Sequence, residues 1–189
     1  MAGGSADRRV PQDGASADRT EPRWYACYTR SRAEKKVGDL LPRLGIETYL
    51  PLVPRDRVWA DRVKQVEWPL FPSYVFARFS LREVGRVLQT PGVATVVRLG
   101  GEYVPLAEAE ITNIRRFAEA IGHQGWDAVT PAPYIAVGER VQVVSGPFAG
   151  VEGLVLRRRR RNRLLVGLSA IRQGFEVDIP SDHLRALPP

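Results

Sequence analysis

The sequence predicts an α+β protein in which a mostly antiparallel sheet with packed helices is followed by a small β-barrel. The first part of the chain alternates strand-like runs with helical stripes, whereas the last part contains only short β-rich runs. A segment rich in Gly, Pro and polar residues separates these parts. We therefore predict a disordered tail at 1–23, a first domain at 24–121, a flexible linker at 122–136 and a second domain at 137–189.

The first domain opens with an aromatic-rich strand at 24–28, which a helix follows. Ser31 and Glu34 have the spacing of a capping box, which places the helix start there. Gly45 is the expected stop, and Pro42 predicts a kinked or shortened last turn because it lacks a backbone N–H. The apolar stripe of this helix consists of Val37, Leu40, Leu41 and Leu44.

The rest of the first domain continues this mixture of strands and helices. Ser80 and Glu83 form a second capping-box pattern and predict a short helix near Val84. The resulting order of strand, helix, strands, helix, strand and helix is typical of helices packed on one sheet. The further segments are strands at 46–50, 63–68, 74–79 and 93–99, an arm at 51–62, and a last helix marked by Ile111, Ile114, Phe117, Ala118 and Ile121.

The second domain contains short strand-like runs separated by Gly, Pro and polar turns. Gly146, Pro147 and Gly150 supply the backbone conformations that such turns need. Strands this short favour a small barrel over a sandwich. The predicted strands lie at 140–144, 153–156, 164–168 and 175–179.

Charge and composition restrict the classes of function. The formal net charge is +7 and the pI is about 10.1, which favours an anionic partner such as nucleic acid. With Cys27 as the single cysteine and two histidines, the sequence predicts no disulfide, no metal and no cofactor. No run approaches the length of a membrane span, and the first residues lack the apolar core of a signal peptide, so we expect a cytoplasmic protein.

Motifs of enzymes are missing from the sequence. Ser169 lies in a segment without the second glycine of a nucleophile elbow, and no Gly-rich loop ends in Lys-Ser or Lys-Thr. Cys27 falls within a strand between aromatic residues, where a buried, inert thiol is expected. We therefore predict that the protein is not an enzyme.

Four motifs in order resemble a known family. Trp24-Tyr25-Ala-Cys-Tyr28, Leu70-Phe71-Pro72-Ser73-Tyr74-Val75-Phe76 and Thr90-Pro91-Gly92-Val93 are similar to the N-terminal (NGN-type) domain of NusG transcription elongation factors. The segment 137–150 resembles the KOW motif that opens the C-terminal barrel of that family. The resemblance covers residues 24–187, and details at 28–31 and 53–74 are similar to specialised paralogues of the RfaH, LoaP and UpxY types.

The resemblance implies a factor that binds the clamp helices of the largest RNA polymerase subunit and suppresses pausing or termination. The matching apolar positions are Tyr25, Tyr28, Phe71 and Tyr74. Core packing is the alternative role for such aromatics, and we expect it for Trp24 and Phe79. Alternation along the strand places Tyr74 and Phe79 on opposite faces, so an exposed aromatic cluster is compatible with the pattern.

The resemblance also implies contact with DNA of the transcription bubble or with nascent RNA. Positive charge at a helix start opposes the helix dipole, and a bound phosphate would reverse this penalty. The alternative is a solvated helix start. The residues concerned are Arg30, Arg32, Lys35 and Lys36.

A second basic cluster lies between two predicted strands of the barrel. A solvated hairpin tip is the ordinary role of such a run, and a nucleic-acid phosphate track would relieve the repulsion within it. This role comes from the charge pattern, because the run is not a family hallmark. The cluster consists of Arg157, Arg158, Arg159, Arg160 and Arg161.

For the barrel, the resemblance implies recruitment of a ribosomal protein or a termination helicase. The candidate contact residues are Phe148, Ile171 and Arg172. Ile171 stands where housekeeping members have an aromatic, which weakens the case for helicase recruitment. We expect a monomer without membrane association. A ribosome- or RNA-binding accessory protein is the alternative function, because ribosomal proteins also contain KOW barrels.

Overall fold

The computed structural model of the protein describes residues 19–59, 62–134, 138–158 and 161–188. In the first domain these residues form the predicted mixture of strands and helices. The elements are β1 (Arg23–Thr29), α1 (Glu34–Arg43), β2 (Glu47–Tyr49), β3 (Leu52–Trp59), β4 (Arg62–Pro69), β5 (Tyr74–Phe79), α2 (Val84–Leu88), β6 (Val93–Val96), β7 (Arg98–Leu99), β8 (Glu102–Tyr103), β9 (Pro105–Leu106) and α3 (Glu108–Gln124).

A five-stranded sheet forms the centre of the first domain. Its order is β2-β5-β1-β6, with β9 also paired to β1, and all these pairs are antiparallel. The register places Tyr28 opposite Tyr74 and Tyr25 opposite Ala77. Because successive strand residues face opposite sides, Tyr25 and Tyr28 lie on different faces of the sheet.

Helices cover both faces of this sheet. Val37 and Leu41 of α1 pack in one buried cluster with Cys27, and Ile114 and Phe117 of α3 pack in the other, on the opposite face. The predicted apolar stripe of the last helix is therefore confirmed. In the described ranges, none of the helices is long and apolar enough to span a bilayer.

Neither helix start has the side-chain cap that the capping-box prediction requires. At Ser31 the prediction is wrong: α1 begins at Glu34 without a side-chain cap. The buried Glu34 carboxylate instead accepts a hydrogen bond from the backbone N–H of Ser73 at 2.7 Å. At the second site, the backbone N–H and the hydroxyl of Ser80 both donate to the Glu83 carboxylate at 3.0 Å.

The predicted arm and the strand after it form one hairpin. Among the described residues, β3 and β4 pair with each other and not with the central sheet. Val58 and Val63 near its described end are 76% and 63% exposed. The outer end of the hairpin therefore projects from the domain, whereas Val53 at its base is buried in the core.

The segment predicted as a linker contains ordered elements in the structure. α3 continues to Gln124, a 3-10 turn spans Trp126–Ala128, and β10 (Thr130–Pro133) pairs with a barrel strand. Its prolines are tolerated because β10 is an edge strand, where a missing N–H breaks few ladder bonds. The barrel sheet thus begins ahead of residue 137.

The second domain is a six-stranded antiparallel sheet in the order β10-β14-β13-β12-β11-β15. Its predicted strands are present, and each is close to its expected bounds. Val141, Leu164 and Val177 are among the buried side chains inside it. The strands after β10 are β11 (Glu139–Val143), β12 (Glu152–Arg158), β13 (Arg161–Leu168), β14 (Gln173–Ile179) and β15 (Leu184–Ala186).

Candidate functional site

The structure brings three of the four predicted aromatic residues to one face of the sheet. Tyr28 and Tyr74 form an edge-to-face pair with ring centroids 5.3 Å apart. Tyr28 is 41% exposed, and Tyr74 is half-buried. Phe71 belongs to the buried cluster against which Tyr74 packs. Tyr28, Phe71 and Tyr74 together are called the aromatic surface below.

Tyr25 lies apart from the aromatic surface. Its side chain is 2% exposed and packs against Phe79, with ring centroids 4.9 Å apart, on the face that α1 covers. Burial raises the pKa of Tyr25, and the nearby Arg23 charge partly opposes this. A residue sealed in this way acts in the core, so the prediction that Tyr25 belongs with the exposed aromatics is wrong. Its position three residues before Tyr28 already places it on the opposite face.

Burial shifts the pKa values of two residues on the central sheet, Tyr74 and Cys27. Burial raises the pKa of Tyr74, and the neighbouring Tyr28 adds to the effect. Burial also raises the pKa of the Cys27 thiol to about 12, so this thiol stays protonated near neutral pH. The expectation of a buried thiol is thus confirmed.

The barrel covers the end of the aromatic surface that Phe71 occupies. The ring centroid of Phe71 lies 5.6 Å from that of Phe175 on β14 and 5.9 Å from that of Phe76 on β5. Phe117 on α3 contacts both Phe148 and Phe175, at 5.8 and 6.0 Å between centroids. These rings belong to one continuous buried cluster, so the two domains share a core.

Polar contacts complete this interface. The Asn113 side-chain amide donates to the Glu152 carbonyl at 2.8 Å, and its oxygen accepts from the Glu152 N–H at 2.7 Å. Arg116 donates to the Gly150 carbonyl at 3.3 Å. Side chains of α3 therefore hold the barrel through hydrogen bonds to its backbone as well as through apolar packing.

Two of the three predicted contact residues of the barrel are buried. Phe148 and Ile171 are 5% and 7% exposed, and the Phe148 ring lies against Phe117 of the first domain. Arg172 is exposed and has a left-handed backbone with φ of 54°. The docked arrangement thus leaves only Arg172 of this set open to a partner.

The basic residues before and within α1 form one exposed group. Arg30, Arg32, Lys35 and Lys36 are exposed, and in the described part of the chain none of them forms an ion pair. The carboxylate among them, Glu34, is buried and bonded to Ser73. Arg32 has a left-handed backbone with φ of 59°.

The arginine run of the barrel lies at the end of the β12–β13 hairpin. The backbone of Arg157 pairs with Asn162, and Arg158 pairs with Arg161. Their side chains, and all of Arg159 and Arg160, lie outside the described residues, so the role of the run stays a prediction. The following Arg163 contacts Glu176 at 2.7 Å and Asp178 at 3.3 Å, and the hydrogen bond to Glu176 is the main cause that raises its pKa.

Sequence reasoning missed the residues that join the domains. Asn113 lies between the apolar stripe positions Ile111 and Ile114. Phe175 lies in a predicted barrel strand, where an apolar residue is expected to pack in the barrel core. The signal available in the sequence was an Asn within the apolar stripe, because an Asn on the packed side of a helix needs hydrogen-bond partners.

Comparisons with known proteins identify the family of this chain. A family model described as "Transcription termination factor nusG" matches residues 22–115. The transcription termination/antitermination protein NusG of Deinococcus radiodurans is 31% identical over 157 residues, which cover 70% of this chain and 81% of that protein. The chain belongs to the NusG family. The NusG proteins of Rickettsia felis and Thermus thermophilus are 28% and 29% identical and cover 90% and 82% of this chain, and 93% and 94% of their own lengths.

Among solved structures, one described as "Domain interaction in Thermotoga maritima NusG" matches with a TM-score of 0.47 and 24% identity, covering 90% of this chain and 99% of that one. NusG membership makes the protein a transcription termination/antitermination factor. The α+β first domain and the β-rich second domain agree with the NGN and KOW domains expected from the sequence.

Proposed function

We propose that the protein binds the clamp helices of the largest RNA polymerase subunit through the aromatic surface and thereby suppresses pausing or termination. The exposed Tyr28–Tyr74 pair supports this proposal, because tyrosines offer large apolar area together with a hydroxyl that tolerates water. In this proposal residues 24–121 carry polymerase binding, and residues 137–189 act as a separate KOW domain.

Polymerase binding competes with the docked barrel. Phe71 is fully buried between Phe76 and Phe175, so a partner that uses all three members of the aromatic surface must displace Phe175. Displacement also exposes Phe148, which the first domain otherwise covers. Release of the barrel would therefore present Phe148, together with the already exposed Arg172, to a ribosomal protein or a termination factor, and Ile171 stays a predicted contact.

Nucleic acid is the second proposed partner of the first domain. The exposed group of Arg30, Arg32, Lys35 and Lys36 concentrates positive charge without described ion pairs, as a phosphate-binding surface requires. Contact with bubble DNA or nascent RNA would follow polymerase binding and would weaken with added salt.

A binding assay with purified core RNA polymerase tests the proposal. We expect Tyr28→Ala to weaken binding by about thirtyfold or more, the loss typical of a central aromatic at an interface. Leu88→Ala is the matched control, because Leu88 is 37% exposed but lies on α2, which packs on the other face.

Circular dichroism and thermal unfolding check that the Tyr28 and Leu88 variants stay folded. Phe71→Ala is a poor test, since truncation of this buried ring destabilises the fold by about 3–5 kcal/mol. If Tyr28→Ala binds polymerase as tightly as the parent protein, the aromatic surface is not the polymerase contact.

A further inference from the structure

We propose that a groove between the two domains binds single-stranded RNA by stacking one base against Trp68 and holding the adjacent phosphates with Arg55 and Arg172. This groove adjoins the aromatic surface through Phe175, which covers Phe71, and it includes neither of the two basic clusters described above. It rests on the proposed function only in the choice of RNA, because the transcript is the strand that leaves a polymerase unpaired. Since the barrel supplies Arg172 and Phe175, the groove exists only while the domains are docked, so RNA held there opposes the barrel release that polymerase binding requires.

Both domains and the turn between them build the walls of the groove. Arg55 and Trp68 come from the β3–β4 hairpin, Trp126 from the 3-10 turn, and Arg172 and Phe175 from the barrel. The groove has a volume of about 540 Å³, which falls within the range of about 300–1,000 Å³ that is usual for ligand sites. A nucleotide-sized group therefore fits.

Aromatic rings provide the stacking surface. Trp68 is 38% exposed, and Trp126 is held edge-to-face against Phe175 with centroids 5.8 Å apart. The guanidinium carbon of Arg55 lies 5.7 Å from the Trp68 ring centroid and 5.2 Å from that of Trp126. Aromatic rings and stacked guanidinium groups are the platforms on which proteins bind unpaired bases.

The charges of the groove favour an anion. Among the described residues that line it, Arg55 and Arg172 are the charged ones, and no Asp or Glu is present. In the described part of the chain neither arginine forms an ion pair with a carboxylate. An apolar peptide would leave both charges unbalanced, whereas the phosphates on either side of a stacked base would neutralise them.

The backbone of Arg172 supports a role beyond folding. Its left-handed conformation, φ 54° and ψ 30°, is unfavourable for a residue with a side chain and is ordinarily occupied by Gly or Asn. The residue nevertheless carries an exposed guanidinium at the rim of the groove. Gln173 beside it adds an amide that can hydrogen-bond a base edge or a ribose hydroxyl.

The test uses the full-length protein without polymerase and a fluorescent oligouridine of about 12 nucleotides. Trp68→Ala should weaken binding by about five- to 150-fold at fixed salt, the range for loss of one stacked base. Arg172→Gly should weaken binding and lower the dependence of log K on log salt by about 0.7, the value for one phosphate contact of a single strand. Glycine suits the left-handed conformation, so this variant keeps its fold.

Arg82→Ser is the matched control, because Arg82 is exposed and lies away from the groove. It should leave both affinity and salt dependence unchanged. Photocrosslinking of a 4-thiouridine oligonucleotide, read out by mass spectrometry, should give adducts on the peptides that contain Trp68 or Trp126. Crosslinks confined to Arg30–Lys36 or to the arginine run, or an Arg172→Gly variant with an unchanged salt dependence, would overturn the proposal.

Two further experiments distinguish RNA from DNA as the ligand and the groove from the polymerase contact. Oligodeoxythymidine of the same length should bind more weakly, and equal binding would refute the assignment to RNA. The same variants are assayed for polymerase binding, where Trp68→Ala should behave as the parent protein. Specific RNA crosslinks in a protein that does not bind polymerase would refute the proposed function while they support the groove.

Discussion

The side chain of Asn113 on α3 forms a reciprocal pair of hydrogen bonds with the backbone of Glu152 on β12. The amide donates to the carbonyl at 2.8 Å and accepts from the N–H at 2.7 Å. Asn113 thereby pairs with one residue of the barrel as a neighbouring strand would. No other residue type of similar size offers both a donor and an acceptor in this geometry.

Asn113→Leu should shift the equilibrium towards undocked domains. The variant leaves the Glu152 N–H and carbonyl without partners in the docked state, at about 1–3 kcal/mol for each group. We expect the docking equilibrium to fall by at least about fivefold and the radius of gyration from small-angle X-ray scattering to increase. Polymerase affinity should increase in parallel, because Phe71 is uncovered.

Asn113→Asp is a second test of the same contact. It retains the acceptor for the Glu152 N–H but sets a carboxylate oxygen against the Glu152 carbonyl, so it too should shift the equilibrium towards undocked domains. An unchanged radius of gyration together with unchanged polymerase affinity in Asn113→Leu would mean that these hydrogen bonds do not hold the domains together.

Glu34→Ala should destabilise the first domain. The buried carboxylate of Glu34 accepts a hydrogen bond from the N–H of Ser73, a residue with a left-handed backbone of φ 66°. Hydrogen bonds to charged groups contribute about 1.5–3 kcal/mol. We expect the free energy of unfolding, measured by urea titration, to fall by about this amount. Lys35→Ala, at an exposed position next in the chain, should change it by less than about 0.5 kcal/mol.

Local patterns predict most of the fold because they record residues that interact within one element. Alternation along β5 correctly separates Tyr74 from Phe79, and the stripe from Ile111 to Ile121 correctly marks the buried side of α3. The same logic fails at Glu34. Its spacing from Ser31 fits a capping box, but its actual partner, Ser73, is 39 residues away in the chain.

The interface between the domains could not be predicted for the same reason. Phe71 and Phe175 are apolar aromatics at positions that would also suit the core of their own domains. Both are buried in the structure. Whether such a ring is covered by its own domain or by the neighbouring one depends on contacts between distant segments, which strand periodicity does not record. The aromatic motif thus predicts a region of function, whereas burial decides which of its members a partner can reach.

Gly92→Ala and Gly85→Ala should affect stability in opposite directions. Gly92 has φ of 107°, and a Cβ atom there would lie 2.9 Å from Val37 Cγ2 and 3.1 Å from the Cβ of Ala33. Gly85 lies in α2, and none of the described atoms lies within 4 Å of a Cβ added there. We expect Gly92→Ala to lower the melting temperature and Gly85→Ala to stabilise by about 0.5–1 kcal/mol. Equal melting temperatures would contradict the tight contact between α1 and the turn before β6.

The buried thiol of Cys27 should make stability sensitive to alkaline pH. Burial raises its pKa from 9.0 to about 12, so the folded protein holds this proton more tightly than the unfolded chain does. The resulting stabilisation is fully present below pH 9 and is lost as the pH rises towards 12. Tyr49, whose burial raises its pKa to about 12 against the opposing charge of Arg115, adds to the loss above pH 10.

Urea titrations at a series of pH values measure this effect in the parent protein and in Cys27→Ala. The variant loses packing at every pH, because the thiol is fully buried, but its free energy of unfolding should decrease less steeply above pH 9. Alkylation by iodoacetamide at pH 8 supplies an independent readout, since only the thiolate reacts. The folded protein should resist labelling and the urea-unfolded chain should react rapidly; fast labelling of the folded protein would show that β1 opens readily or that the thiol is not sealed by α1.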